Sequence, residues 1–180
     1  MQKNAIIHVE DLSIGYGDNI IMKDLTFDIP KGDIFIIMGG SGCGKSTLLR
    51  TLTGLIPAQS GQIYIQGVEM GQATANQKRD IMKNSRILYQ SGALFSSMTL
   101  GENIALPLQQ YTNYSQNKIQ DIVAFKLALV GLAGFGDYYP SEISGGMRKR
   151  AGLARALALD PEIVYFDEPS AGLEIGRAHV

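Results

Sequence analysis

The stretch that decides the fold reads Gly39-Gly40-Ser41-Gly42-Cys43-Gly44-Lys45-Ser46-Thr47. It follows an apolar run at 34–38 and precedes residues 48–52, whose apolar side chains have helical spacing. A buried strand, a glycine loop and a helix in this order are the setting in which G-x-x-x-x-G-K-[ST] binds phosphate. Glycines let the backbone direct several N–H groups inward, and the helix N-terminus adds partial positive charge at the same point. The sequence therefore predicts a phosphate-binding loop at 39–47.

Two side chains of this stretch have the chemistry that a triphosphate needs. The ammonium group of Lys45 is expected to reach the β- and γ-phosphates, and the hydroxyl of Ser46 is expected to be a Mg²⁺ ligand. The alternative is a glycine-rich turn that matches by accident, with odds on the order of one per cent at this chain's residue frequencies. The motif therefore predicts a nucleoside triphosphate, bound with Mg²⁺.

Length, charge and cysteine content exclude several other classes of protein. The chain has 180 residues, enough for one domain with a core, and its net charge of −1 gives no electrostatic reason to expect nucleic acid as a partner. The single cysteine, Cys43, lies in the glycine loop, where a small side chain that merely fits is favoured over a redox role. No apolar run approaches the ~18 residues that span a bilayer, and the N-terminus lacks a signal-peptide pattern. We expect a cytoplasmic protein.

Strand signals on both sides of the loop predict an α/β core. Apolar or alternating runs predict strands at 6–9, 25–29, 34–38, 62–66, 86–89 and 163–166, with a surface helix at 75–83. Tyr16 lies between two glycines in the turn-rich segment after the first strand. It is either a turn residue packed on a neighbour or an aromatic face on which an adenine ring stacks.

Residues 91–140 carry helical and turn signals in place of strand signals. Thr99 and Glu102 form a capping-box pattern, and the helix that they begin is expected to end before Pro107. A second helix with one buried face is predicted by the helical spacing of Ile119, Ile122, Val123, Leu127 and Val130. A helical insert therefore interrupts the α/β core.

The sequence after this insert predicts a second helix N-terminus that could bind an anion. Ser144 is a good N-cap, and the glycines Gly145 and Gly146 leave the first N–H groups of the helix open. Taken alone, this pattern more often marks an ordinary cap than a site. The basic residues at 148–150 are expected to form a solvated face.

Two carboxylates, Asp167 and Glu168, follow the last apolar run. A run without polar residues is typical of a parallel strand buried on both faces, and ligands bind at the carboxyl ends of such strands. Consecutive strand residues point to opposite sides, so the two acids are expected to have different roles. Asp167 suits indirect coordination of Mg²⁺ opposite Ser46, and Glu168 suits a general base for the attacking water. The alternative is a pair of solubilising acids at a strand end.

In order and spacing these motifs resemble those of ABC-transporter ATP-binding subunits, from about Ala5 to Leu173. The residues that match are Gly39 to Thr47 for the Walker A loop, Tyr16 for the A-loop aromatic, Gln90 for the Q-loop, Ser144-Gly145-Gly146 for the signature motif, Asp167 and Glu168 for Walker B, and Ser170 to Leu173 for the start of the D-loop. The resemblance implies one ATP-binding domain at 1–173. It has a P-loop NTPase core with a mainly parallel sheet, an N-terminal antiparallel β region and a helical subdomain at 91–145.

The same resemblance implies how the two anion sites work together. Two such subunits dimerise head to tail, so that the signature residues of one cap the ATP held by residues 39–47 of the other. Gln90 is implied to contact the metal and the γ-phosphate, and to act in catalysis with Lys45 and Glu168. The helical subdomain is implied to dock on a transmembrane permease subunit, which places the protein on the inner face of the cytoplasmic membrane.

Two details are similar to a narrower group, the Mla-type phospholipid transporters, which move lipid between Gram-negative membranes through MCE-domain partners. One is the segment Gln90-Ser91-Gly92-Ala93-Leu94-Phe95, and the other is Met147 where most ABC signatures carry glutamine. Three other interpretations stay open: the ATPase of a different ABC system, a soluble ABC protein of repair or translation, and a nucleotide-binding fragment without turnover. Neither the transported substrate nor its direction follows from these residues.

The last seven residues, 174–180, depart from the family pattern. Glu174 stands where the D-loop aspartate is expected, and His179 comes too soon after Glu168 to be the switch histidine. One back-translation of the segment, GAG ATC GGA AGA GCA CAC GTC, looks after its first base like the start of a common sequencing-library adapter. We therefore expect residues 174–180 to be non-native.

Overall fold

The computed structural model describes residues 5–88 and 93–167. They form two compact units, divided between Met82 and Lys83. The first unit is built on an antiparallel sheet, and the second on a parallel strand pair with several helices. In the described residues no helix is long and apolar enough to span a bilayer.

The first unit contains a four-stranded antiparallel sheet in the order β2-β1-β3-β4. The strands are β1 (Ala5–Tyr16), β2 (Asn19–Pro30), β3 (Ser60–Ile65) and β4 (Val68–Glu69). Ile7 and Val9 of β1 lie opposite Ile65 and Ile63 of β3, and all four side chains are buried. This shared apolar face sets the register, because a slip of one residue would turn every one of these side chains outward. The predicted strands at 6–9, 25–29 and 62–66 are confirmed, as is the N-terminal antiparallel β region.

Two helices lie between or after these strands. Helix α1 (Lys45–Leu52) begins directly at the glycine loop and buries Leu48, Leu49 and Leu52, as its helical spacing predicts. Helix α2 (Ala75–Asn84) buries Ile81 and leaves most of its other side chains exposed, which confirms the predicted surface helix.

The predicted buried strand at 34–38 is wrong for the described structure. These residues pair with none of the described strands, and Ile34 and Met38 are 91% and 87% exposed. Phe35 stacks on Phe27 of β2, with ring centroids 5.1 Å apart. An apolar run becomes a strand only where neighbouring backbones accept its hydrogen bonds, and no described strand of the unit does so.

The second unit pairs β5 (Ser85–Leu88) with β6 (Ile163–Phe166) in parallel, with Ile87 opposite Tyr165. Ile163 and Tyr165 on one face of β6 are buried, but Phe166 on the opposite face is 44% exposed, so the expected burial on both faces is wrong there. Burial also raises the pKa of Tyr165, because the phenolate would lose its hydration. The predicted strands at 86–89 and 163–166 are confirmed where they are described.

The helices of this unit are α3 (Leu100–Tyr111), α4 (Gln116–Leu129) and α5 (Gly145–Ala156), with a 3₁₀ turn at Pro140–Glu142. They enclose an apolar core whose buried side chains include Leu100, Ile104, Leu108, Leu127, Leu132, Ala151, Ala154 and Ala158. Ile119 of α4 joins this core, and Ile122, Val123 and Val130 pack against it. The predicted apolar face of α4 is therefore confirmed. So is the helical character of the insert at 93–140, where the structure has no strand.

Helix α3 does not end before Pro107, as its sequence predicts. The capping box is present, because Thr99 Oγ1 accepts a hydrogen bond from Glu102 N at 3.2 Å and Glu102 Oε2 accepts one from Thr99 N at 2.7 Å. The helix then continues through Pro107 to Tyr111. A proline inside a helix costs about 3 kcal/mol, but continuation buries Leu108, 1% exposed, in the same core as Leu100 and Ile104. Burial of that side chain offsets much of the local cost.

Candidate functional site

The phosphate loop closes around the ammonium group of Lys45. This side chain donates hydrogen bonds from Nζ to the carbonyl oxygens of Gly39 at 2.9 Å and Gly40 at 2.8 Å. Nζ also lies 3.8 Å from Sγ of Cys43. A positive charge is therefore held inside the curl of the loop, where a phosphate of a bound nucleotide would meet it.

Backbone conformation requires two glycines of the loop, and a side-chain contact restricts a third. Gly42 and Gly44 have φ values of +78° and +103°, which L side chains rarely adopt. A Cβ on Gly44 would also lie 2.5 Å from Ile21 Cγ2, and a Cβ on Gly39 would lie 2.6 Å from Sγ of Cys43. The half-buried Cys43 thus fills the space that the missing side chain of Gly39 leaves. This supports its interpretation as a small side chain that fits the loop.

Helix α1 begins without a side-chain cap. Its N-cap is Gly44 in a left-handed conformation, and no side chain of that residue can accept from the first N–H groups. Such uncapped N–H groups, together with the helix dipole, favour an anion at this point. Lys45, Ser46 and Thr47 form the first turn of the helix, with Ser46 half-buried and Thr47 buried. Ser41 and Gly40 are exposed at the tip of the loop.

Tyr16 ends β1 beside this loop. It pairs with Asn19 across a tight turn and is 49% exposed. The next residues of β2 contact the loop, because the side chains of Ile21 and Met22 would meet a Cβ on Gly44 at 2.5 and 3.5 Å. The structure therefore brings the predicted aromatic residue and the predicted phosphate loop together in one unit, on neighbouring elements.

The predicted N-cap Ser144 is in place at the start of α5. Its Oγ accepts a hydrogen bond from Met147 N at 3.2 Å. Gly145 and Gly146 are exposed, and a Cβ on Gly146 would meet nothing within 4 Å. This open glycine turn would let another surface approach the helix N-terminus closely.

The basic residues at 148–150 do not form a simple solvated face. Arg148 and Lys149 are half-buried, and only Arg150 of the three is exposed. Arg148 Nη1 donates to the carbonyl oxygen of Ile143 at 2.8 Å, which fixes the residue before the cap. Arg150 Nη1 donates to the carbonyl oxygen of Val130 at 3.0 Å. The expected solvated face is wrong for Arg148 and Lys149, which are half-buried. The guanidinium groups of Arg148 and Arg150 instead serve backbone carbonyls of preceding segments.

A buried asparagine that the sequence analysis did not single out organises the segment 93–99. Asn103 is 0% exposed. Its Nδ2 donates to the carbonyl oxygens of Phe95, Met98 and Thr99, and its Oδ1 accepts from Phe95 N at 2.8 Å. From α5, Arg155 Nη1 donates to the carbonyl oxygen of Ala93 at 2.8 Å, and burial lowers the pKa of this guanidinium. The segment that leads out of the predicted Q-loop is therefore held by two polar side chains.

Replacing Asn103 by alanine is expected to lower the free energy of unfolding by about 2–4 kcal/mol, because several buried backbone groups would lose their partner. Chemical denaturation measures the loss. Asn117→Ala on the exposed surface of α4 is the control. A loss below about 0.5 kcal/mol, the size typical of surface changes, would contradict the organising role of Asn103.

Of the remaining predicted site residues, the structure describes Asp167. Asp167 follows β6, and its backbone N–H donates to the carbonyl oxygen of Leu88 at 3.0 Å. Gln90 and Glu168 lie outside the described residues, as do 170–180. Ser46 belongs to the first unit and Asp167 to the second, so their shared metal site stays a prediction. The described residues contain no cluster of three His, Cys, Asp or Glu side chains that would hold a metal alone.

A glycine loop closed around a lysine at an uncapped helix start defines a P-loop nucleotide-binding domain. Sequence comparison gives the family. A sequence model of the ABC transporter family matches residues 22–171. The chain belongs to the ABC transporter family.

Individual relatives agree with this assignment. The chain is 45% identical over 174 residues to the probable ribonucleotide transport ATP-binding protein Mkl of Mycobacterium leprae, with 97% of this chain and 50% of the relative covered. It is 41% identical over 167 residues to the intermembrane phospholipid transport system ATP-binding protein MlaF of Haemophilus influenzae, with 93% and 63% covered. The chain thus spans half of the first relative's length and less than two thirds of the second's.

A solved structure supports the fold. The chain superposes with a TM-score of 0.82 and 27% sequence identity on an ATP-binding cassette in a dimeric post-hydrolysis state bound to ADP and Pi, covering 91% of this chain and 74% of that one. The predicted fold class, a P-loop ATPase core of the ABC type, is confirmed.

Proposed function

We propose that the protein is the ATP-binding and ATP-hydrolysing subunit of an ABC transporter. The observation that carries the proposal is the position of Lys45 inside the glycine loop, with Nζ 2.9 and 2.8 Å from two loop carbonyl oxygens at an uncapped helix start. Loop, charge and helix dipole converge on one point, where the β- and γ-phosphates of ATP would bind. Membership of the ABC family supports ATP as the nucleotide.

We propose that a Mg²⁺ ion binds together with ATP, on the chemistry of three side chains. Mg²⁺ prefers a few protein oxygens beside those of the phosphates, and Ser46, Gln90 and Asp167 offer a hydroxyl, an amide and a carboxylate. When bound, the ion would neutralise charge on the phosphates. Glu168 would accept the proton of the attacking water, and Lys45 would orient the γ-phosphate.

A second ATP-binding subunit would complete each site. The exposed turn at Ser144, Gly145 and Gly146 has room for a close approach, and its helix start favours an anion. The similar cassette bound to ADP and Pi is a dimer. We infer a head-to-tail dimer in which this turn covers the ATP held by the partner.

For the transported substrate we propose phospholipid, moved with a transmembrane permease and an MCE-domain partner. The ATPase itself would lie on the inner face of the cytoplasmic membrane. The MlaF relative and the two Mla-like sequence details support this choice. The printed name of the Mkl relative favours a second candidate, a ribonucleotide. The names of both relatives describe transport proteins, which disfavours a soluble ABC protein of repair or translation.

Reconstitution separates these substrates. The ATPase is purified together with the permease subunits that it recovers in a pull-down, and the complex is placed in proteoliposomes. We expect ATP-dependent transfer of fluorescent phospholipid, absent with Lys45→Ala. Uptake of radiolabelled ribonucleotide without lipid transfer would instead favour the second candidate. Failure to recover any permease would contradict the transporter proposal.

Tyr16→Ala is expected to weaken ATP binding about fivefold, because loss of an aromatic stack costs ~1 kcal/mol. Tyr16→Phe keeps the ring and should bind ATP like the wild type. Titration calorimetry with Mg-ATP measures both. Equal weakening by the two variants would assign the contact to the hydroxyl group and not to the ring face.

A further inference from the structure

The side chain of Gln59 reaches from the loop before β3 to the turn that follows Tyr16. Its Nε2 donates to the carbonyl oxygen of Gly17 at 2.9 Å, across 42 positions of sequence. Its backbone N–H donates to the carbonyl oxygen of Ser13 at 2.9 Å. Gln59 is thus attached to β1 through its backbone and to the tip of the hairpin through its side chain.

The tip of this hairpin is narrow. Tyr16 and Asn19 form the closing pair around Gly17 and Asp18, and Gly17 has a φ of +54°. At Gly15 the two strands approach so closely that a Cβ would lie 2.1 Å from the carbonyl oxygen of Asn19. Two-stranded tips of this kind are marginally stable by themselves, so a contact from outside the hairpin restricts where the tip lies.

We propose that Gln59 is a positioning residue for the adenine platform: by holding the Gly17 carbonyl, it fixes the ring of Tyr16 where the base stacks. The proposal rests on the proposed function, in which Tyr16 contacts adenine. A ring that is held in place before binding loses less conformational freedom when the nucleotide binds. The hydrogen bonds that the structure gives Gln59 go to the carbonyl oxygens of Gly17 and Ser13 and not to residues 39–47, so its effect should depend on the base.

Gln59→Met tests this directly, because methionine keeps the length and neutrality of the side chain and removes the donor. We expect the Kd for Mg-ATP to rise about two- to fivefold, which is within the range for one net hydrogen bond and no larger than the loss of the Tyr16 ring itself. The Kd for Mg-tripolyphosphate, which has no base, should stay as in the wild type. Gln62→Met is the matched control. Gln62 is an exposed glutamine of β3 whose Oε1 accepts from Tyr64 Oη at 2.9 Å, away from the hairpin tip.

A double-mutant cycle with Tyr16→Ala distinguishes positioning from general loosening of the fold. If Gln59 acts through the ring, Gln59→Met should have no further effect on ATP binding in the Tyr16→Ala background. An undiminished effect in that background, or equal weakening of ATP and tripolyphosphate, would overturn the proposal. Separately, a wild-type protein that binds tripolyphosphate as tightly as ATP would show that adenine is not contacted. That result would remove the adenine contact of the proposed function, whichever way Gln59→Met behaves.

Discussion

Replacing Glu168 by glutamine should stop ATP hydrolysis while leaving ATP bound. Glutamine has nearly the same shape as glutamate but cannot accept the proton of the attacking water. A positioned general base contributes roughly 10²–10⁴-fold to the rate, so turnover should fall at least a hundredfold. Because ATP would persist between two subunits, the variant should also elute as a dimer with Mg-ATP in size-exclusion chromatography.

The control for this experiment is Glu162→Gln, which changes an exposed carboxylate just before β6. It should hydrolyse ATP like the wild type. If Glu168→Gln retains more than about a hundredth of wild-type turnover, the general-base role is wrong. Loss of ATP binding by the same variant would also contradict the assignment, since Glu168 is proposed to act on water and not on the nucleotide's affinity.

Lys45→Ala is expected to abolish ATP binding. The variant removes the ammonium group that the loop holds 2.9 and 2.8 Å from its carbonyl oxygens, and with it the charge that would meet the β- and γ-phosphates. Hydrogen bonds between charged groups contribute about 1.5–3 kcal/mol each, so loss of two should weaken binding more than a hundredfold. Calorimetry with Mg-ATP and with Mg-tripolyphosphate should show the same loss, because this contact does not involve the base.

Lys23→Ala, an exposed lysine of β2, is the matched control and should bind ATP as the wild type does. Circular dichroism of both variants shows whether the fold is retained. A folded Lys45→Ala protein with ATP affinity within a factor of about two of wild type would refute the phosphate-binding role, because even one lost charged hydrogen bond should cost more.

Local sequence signals were sufficient for much of the candidate site. The phosphate loop, the Thr99 capping box and the Ser144 N-cap are each built from residues within a few positions of one another, so spacing alone predicts them. The helix containing Pro107 could not be predicted in this way. Its extent depends on the burial of Leu108 in a core assembled from distant helices, and that burial offsets much of the local cost of proline.

The contacts that the sequence analysis missed join residues far apart in the chain. Gln59 reaches Gly17 across 42 positions, and Arg155 reaches Ala93 across 62. No periodicity or motif records such pairs, because a side-chain donor can serve any carbonyl that the fold brings near. The run at 34–38 illustrates the same dependence on distant residues. Its composition predicts a strand, but strand pairing depends on adjacent strands that the sequence of the run does not specify.

The glycines of the phosphate loop differ in whether a second substitution elsewhere could make their replacement tolerable. Gly42 and Gly44 have positive φ values, and no change elsewhere relieves that backbone strain. Gly39 is limited instead by Cys43, whose Sγ would lie 2.6 Å from an added Cβ while its own Cβ would lie at 3.8 Å, an ordinary contact. Positions 39 and 43 therefore share one volume. Alanine at position 39 is compatible with alanine at position 43, because the second side chain ends at Cβ. Positions 39 and 43 should therefore covary among variants of this loop, whereas Gly42 and Gly44 should stay fixed.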